Sequence, residues 1–280
     1  MKKYGLLCLL ALLSIKLFAP PNCEIYKRDK ICYESCQEAM KAIRYWQGSS
    51  QSQQHFNRSI ELCPGFAYSH MEKAVPFLKR GKFIQWKKMI DKAVELEPQE
   101  YLGYRGWCRL QFLRDYEGAI KDIERLKELV DYDIGFCQTG DYHLNIALAL
   151  CYKEIGQIDK AKEIFEQHLT AHNAYIGLYD FYHLGVIEYE TGAYQKAIEH
   201  LTRQIRENDY LGETYYFLAL AHKALGNEQE YRSTLKTAKA YYQAGKFRTD
   251  TYTETIDKIY FVDIIEELEA ANASLKTPPK

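Results

Sequence analysis

Cysteine is the residue type with the most evident chemistry in this 280-residue chain, which carries eight of them. Cys8 lies in an apolar N-terminal run, and seven lie beyond it. Seven is odd, so at least one thiol is unpaired or pairs between molecules. Cys23, Cys32, Cys36 and Cys63 cluster towards the N-terminus; Cys108, Cys137 and Cys151 lie near the middle. Disulfides are one chemistry this pattern offers, provided the compartment is oxidising. Metal binding is the other, but it asks for a C-x2-C pair, and Cys32-x3-Cys36 is one helical turn with no partner pair. His168-x3-His172 places two imidazoles on one helix face without a third ligand, so helix-end histidines are the better reading. The segment Asp131 to Asp141 fails as a calcium loop, because Gly135 takes a ligand position and no glutamate closes it. The chain has no G-x-S-x-G, H-E-x-x-H, C-x-x-C-H or G-x-x-x-x-G-K-[ST], so neither a catalytic site nor a cofactor is expected.

The compartment is addressed by the first nineteen residues. Lys2 and Lys3 precede an uncharged apolar stretch from Tyr4 to Ile15, which ends at Lys16. That stretch is well short of the ~20 residues a membrane span needs and has the length of an export signal. Ala19 supplies the small residue for cleavage after 1–19, although Pro20 disfavours that bond. An uncleaved anchor and a buried N-terminal helix are the alternatives. Pro20-Pro21-Asn22 before Cys23 is unlike the small-residue run of a lipidation signal. The expectation is export to the periplasm or cell envelope, with no membrane span after cleavage. Cleavage would leave 34 basic and 38 acidic residues, a net charge near −4, so no nucleic-acid partner is expected. Lys79-Arg80-Gly81-Lys82, with Lys87 and Lys88, is a local basic patch that reads as a solvated turn.

The elements that would position these residues are set by a recurrence. A composition of 47% hydrophobic and 27% charged residues, with only 7 prolines, suits a mostly helical soluble chain. Phe181-x2-Leu184-Gly185…Gly192-x-Tyr194-x2-Ala197-x3-Leu201 is followed about 34 residues later by Tyr215-x2-Leu218-Ala219…Gly226…Leu235. Earlier copies read Leu148-Ala149-x2-Tyr152…Gly156…Ala161-x3-Phe165 and Gly106-Trp107-x2-Leu110…Tyr116-x2-Ala119-x3-Ile123. Two weaker copies follow Ala74-x2-Phe77…Trp86-x3-Ile90 and Ala39…Ile43…Phe56. This pattern resembles the tetratricopeptide-repeat family.

The resemblance implies an all-α fold: a right-handed superhelical solenoid of about six helix-turn-helix repeats with a C-terminal capping helix. The repeats fall at 33–66, 67–99, 100–134, 142–175, 178–211 and 212–245, after an N-terminal cysteine-containing segment at 20–32. A capping helix at 246–272 is opened by the capping box Thr251-x-x-Glu254 and carries the stripe Ile256, Tyr260, Ile264 and Leu268. A tail at 273–280 completes the chain. Within each unit, small residues let helix A and helix B approach, glycine ends helix A, and stacking makes one continuous core. Departures are expected at Pro76, inside helix A of the second repeat, at Trp86, in place of a small alanine, and at the insertion 131–141.

The family also implies a concave groove lined by helix A, and with it a protein or peptide partner. Carried over by position, the groove residues are Tyr68, Met71, Tyr101, Tyr104, Gln111, Tyr179, Tyr182, Tyr189, Tyr216 and Lys223. Tyrosine joins a large apolar face to a polar tip, which suits recognition. By the same family geometry Cys36 lies near Cys63, the candidate disulfide. The function expected is a non-enzymatic exported scaffold. The alternatives are a redox-responsive module built on the clustered cysteines and an α-helical enzyme, which would need titratable groups converging in the groove.

Overall fold

The computed structural model describes residues 20–171 and 175–274. The export-signal reading of 1–19 lies outside them, as do Cys8, His172 and most of the tail. Thirteen α-helices make up the described residues, with no strand among them. Twelve form six antiparallel hairpins: α1 (Lys30–Ala42) with α2 (Ser50–Leu62), α3 (Ala67–Lys79) with α4 (Phe83–Leu96), α5 (Pro98–Cys108) with α6 (Tyr116–Leu129), α7 (Leu144–Glu154) with α8 (Ile158–Thr170), α9 (Asp180–Glu190) with α10 (Tyr194–Glu207), and α11 (Gly212–Ala224) with α12 (Glu228–Gln243). Each hairpin packs on the next, so the chain is an all-α solenoid. The last helix, α13 (Phe261–Ser274), packs on α12.

Local chemistry sets the helix ends. Asp29 caps α1 by accepting from the Ile31 and Cys32 N–H groups, and Asp115 caps α6 at Gly118. Gly156, Gly192 and Gly226 end three A helices with φ between +75° and +80°, where a Cβ would be strained. In the third repeat that place is taken by Arg114, at φ +54°, after α5 has widened into a π-turn at Arg109–Leu113. The small positions work as close approaches. A Cβ on Gly185 would stand 2.6 Å from Leu201 Cγ, so α9 and α10 meet closely there.

Several expectations need correcting. Pro76 does not break α3, which runs unbroken from Ala67 to Lys79. The proline has no N–H to donate to the Glu72 carbonyl, a loss the helix accommodates, and it packs against the α1–α2 turn at Gly48. Trp86 is buried to 1% exposure despite replacing alanine. Tyr231, also at an alanine position, points its hydroxyl out to Glu267 of α13, 2.5 Å away. The predicted capping helix over 246–272 begins only at Phe261. Thr251 and Glu254 open no helix; Asp250 instead accepts from the Tyr252 and Thr253 N–H groups, at 2.8 Å each. Of the proposed stripe, Ile264 is buried on α13, Ile256 is buried before it, and Tyr260 is half exposed.

The predicted Cys36–Cys63 bond is also wrong in its pairing. Cys36 is bonded to Cys23, and Cys63 to Cys32, with Cα separations of 5.6 and 5.2 Å. The short 3-10 turn Cys23–Tyr26 lies over α1 and brings Cys23 to mid-helix. Cys32, one turn nearer the helix start, is then the residue that meets Cys63 beyond α2.

Candidate functional site

The face of the A helices expected to form an open groove is occupied by the chain itself. The Gly212 N–H donates to the Lys246 carbonyl at 2.9 Å, and the chain then leaves repeat six. Residues 247–254 reach out to the third repeat and 255–260 return to the sixth. At the far tip, Gln111 donates to Thr253 Oγ1 at 2.7 Å, Arg114 donates to the Glu254 carbonyl, and the Lys79 ammonium lies 5.4 Å from the Tyr252 ring. On the return, Tyr242 donates to the Ile259 carbonyl at 2.6 Å. α13 then seats Glu267 between Lys223 and Tyr231.

The centre of this strap is a buried polar cluster. Asp257 stands at φ +56°, a left-handed conformation that asparagine and aspartate tolerate better than most residues. Its carboxylate accepts from Lys153 and, at 2.6 Å, from His183 Nδ1; its carbonyl accepts from the Tyr182 hydroxyl at 2.5 Å. Arg248 donates to the Ile256 carbonyl, to Tyr142 and to His183 Nε2, and its guanidinium sits 4.5 Å from the Tyr179 ring. Its backbone N–H donates to Glu213 at 2.8 Å. Tyr142 directly follows the insertion, which folds as a short turn in which the Cys137 and Leu144 N–H groups donate to the Tyr142 and Gly135 carbonyls, and Asp133 accepts from His143 at 2.6 Å.

Electrostatics follow from burial and pairing. Burial alone would raise the Asp257 carboxyl, but the His183 hydrogen bond and the Lys153 charge outweigh it and hold it well below the usual range. Burial works against the Lys153 ammonium, and the carboxylates of Asp257 and Glu190 reverse that, raising its pKa. Burial pushes His183 down to about 4, so the ring is neutral, donates from Nδ1 and accepts at Nε2. The sign of the resulting pH dependence is fixed. The unfolded imidazole takes its proton near 6.5 and the folded one only near 4, so His183 costs stability as pH falls through that window. The loss is at most about 3 kcal/mol. Asp257, with its lowered pKa, adds a loss of the same sign at lower pH. Asp180, raised to about 6 by burial, has the opposite sign. A His183→Gln chain should therefore show a shallower decline of urea midpoint between pH 6.5 and 4 than the natural chain; equal slopes would show that His183 does not titrate as argued.

The expected groove residues are buried or already engaged. Tyr68, Met71, Tyr101, Tyr104 and Tyr182 are buried, all at 8% exposure or less, so they present no free face. Gln111, Tyr179, Tyr182 and Lys223 hold the strap or α13, while Tyr189 and Tyr216 pack around Phe217. His183, Arg248, Asp257 and Tyr142, which centre the site, were absent from the sequence expectation. The titratable groups do converge, but on one another: His183, Lys153 and Asp257 are buried, and the cavity beside them, lined by Trp107, Gln111, Tyr142, Tyr179, Arg248 and Asp250, measures about 40 Å³. That is room for water and not for a substrate. Burial also raises the thiols of Cys108, Cys137 and Cys151, which makes them poor nucleophiles.

A tetratricopeptide-repeat family model matches residues 142–171, the fourth hairpin of this stack. The fold of the chain is that of tetratricopeptide-repeat proteins. Its fold is shared with solved structures of low identity. PilW, described as a widely conserved type IV pilus biogenesis factor, is 16% identical with a TM-score of 0.59, over 75% of this chain and 94% of that one. PilF of Pseudomonas aeruginosa is 14% identical with a TM-score of 0.60, over 86% and 99%. A tetratricopeptide-repeat protein of Parabacteroides merdae is 11% identical with a TM-score of 0.61, over 88% of each chain. YrrB, described as having an unusual peptide-binding site, is 14% identical with a TM-score of 0.52, over 79% and 98%. No curated protein matches the sequence.

Proposed function

We propose that this chain is a non-enzymatic, exported scaffold that binds a protein partner through the concave face of its repeats, with the strap 246–260 as the resident occupant of that face. One observation carries the reading. Side chains from successive A helices, Gln111, Lys153, Tyr182 and His183, already grip an irregular stretch of polypeptide by a threonine hydroxyl, a backbone carbonyl and its one buried carboxylate. A surface that can do this for its own chain has the donors and the shape to do it for another. A partner segment would bring a carboxylate to the seat between Lys153 and His183. Export is supported by the two disulfides of the first repeat, which persist in oxidising compartments, and by the signal-like 1–19.

The test is photocrosslinking of the intact chain in its native cells. A photoreactive residue at position 189 or 216, on the concave side, is expected to capture a discrete partner. The same residue at position 163, on the exposed face of α8, is not. Adducts at 163 with none at 189 and 216 would move the binding face to the convex side and sink the proposal.

A further inference from the structure

We propose that the edge of the superhelix formed by the α1–α2 and α3–α4 turns is a docking surface for an anionic lipid bilayer. It adjoins the concave face at Lys79, which lies beside Tyr252 of the strap, but does not depend on what that face binds. Two acid-free stretches build it. Residues 39–60 carry Lys41, Arg44 and Arg58, and residues 73–90 carry Lys73, Lys79, Arg80, Lys82, Lys87 and Lys88, with no aspartate or glutamate in either. In a chain of net charge −1 that is a strong local imbalance. The structure joins the two turns: Lys79 donates to Gln47 at 2.8 Å and Arg80 to the Gly48 carbonyl at 3.1 Å. The flanking acids are mostly committed. Glu38 pairs with Lys41 and His55, Asp91 with Lys87 and Arg105, and Glu72 is half buried.

The same edge exposes apolar side chains that a solvated turn does not require. Trp46 is 90% exposed and Ile84 85%, with Ile43, Tyr45 and Phe83 also exposed around them. Ile84, Lys87 and Lys88 share one helical face at i, i+3 and i+4. Trp46, at the α1–α2 turn, borders an open hollow with Arg44, Tyr45, Gln47, Ser49 and Gln51, and Ile84 stands out beyond the α3–α4 turn, with lysine and arginine beside both in the chain. That is the combination that seats at a headgroup boundary: an indole and an aliphatic chain in the interface, cations against anionic lipid.

The chain offers its own reporter. Of its three tryptophans, Trp86 and Trp107 are buried at 1% and 6% exposure, so a change in tryptophan emission on binding reads Trp46. The intact chain would be mixed with phosphatidylcholine vesicles and with vesicles containing phosphatidylglycerol. Binding to neutral vesicles measures what apolar side chains, the stretch 4–15 included, contribute without lipid charge. The expected result is added binding to the anionic vesicles, weakened by salt and accompanied by a blue shift in emission that is absent from a Trp46→Phe chain. Lys82→Glu with Lys88→Glu should weaken that added binding roughly tenfold or more, with the thermal midpoint unchanged. No difference between the two vesicle types would overturn the proposal. So would anionic binding without the Trp46 shift, or binding that survives the two charge reversals. Salt-sensitive binding to polyglutamate with none to vesicles would assign the edge to an acidic protein instead.

Discussion

Replacing Asp257 with alanine is expected to destabilise the chain by roughly 3–5 kcal/mol, the scale for breaking a buried ion pair by removing one partner, and to free the strap from the concave face. The carboxylate is the shared acceptor of Lys153 and His183. Without it the buried Lys153 ammonium keeps only Glu190, 3.2 Å away and half exposed. The backbone adds to the loss, because alanine at φ +56° costs roughly 1–2 kcal/mol more than it would in an ordinary conformation. Asp257→Asn separates the two effects: it tolerates the left-handed backbone and loses only the charge. Urea unfolding gives the stabilities. Hydrogen exchange should show faster exchange over 247–260 in the alanine chain while α1 to α4 keep their protection, since a solenoid transmits stability mainly between neighbours. A cost below about 1 kcal/mol, with unchanged exchange in the strap, would show that Asp257 does not anchor it. If the concave face binds a partner, the same alanine chain should capture more of it at positions 189 and 216, because the resident occupant no longer competes.

The repeat architecture was legible because it rests on local rules. Gly156, Gly192 and Gly226 mark turns that need a left-handed residue, and the small Gly185 and Ala197 mark close helix approaches. The strap was misread because its helix signals are also local, and contacts at long range override them. Thr251-x-x-Glu254 has the form of a capping box. Yet Thr249, Thr251, Thr253 and Thr255 alternate, and β-branched residues at a period of two argue against a helix. Nothing local marks Asp257 or Arg248 as buried, because their partners lie on α7 and α9 and on the insertion, up to 106 residues away. A position in the repeat does not say whether a tyrosine faces solvent, the next helix or a folded-back tail. The disulfides failed for a similar reason. The family pattern covers α1 and α2 but not the short turn before them, and that turn brings the fourth cysteine.

Peptide mapping of the unreduced protein should recover the cross-links Cys23–Cys36 and Cys32–Cys63, and reducing them should loosen the first repeat alone. The Cys32–Cys63 bond closes a separation of 31 residues and the Cys23–Cys36 bond one of 13, so each is worth roughly 3–4 kcal/mol in the chain-entropy account. The first repeat has reason to need them. α2 reads SQSQQHFNRSIEL and buries only Ser52, Phe56 and Ser59. Its contact with α1 leans on a buried hydroxyl pair, Ser35 and Ser59, 2.8 Å apart. That is little apolar area for a terminal unit that packs on one neighbour only. Cys32→Ser with Cys63→Ser should therefore speed hydrogen exchange across α1 and α2, with a smaller effect in α3 and none in α9 to α12. A Cys36–Cys63 peptide would refute the pairing. Unchanged exchange in α1 and α2 after reduction would show that the serine contacts and Phe56 hold the repeat unaided. Loss of protection throughout the stack would mean that the repeats unfold as one unit, and that the N-terminal cross-links stabilise the whole superhelix and not its first turn alone.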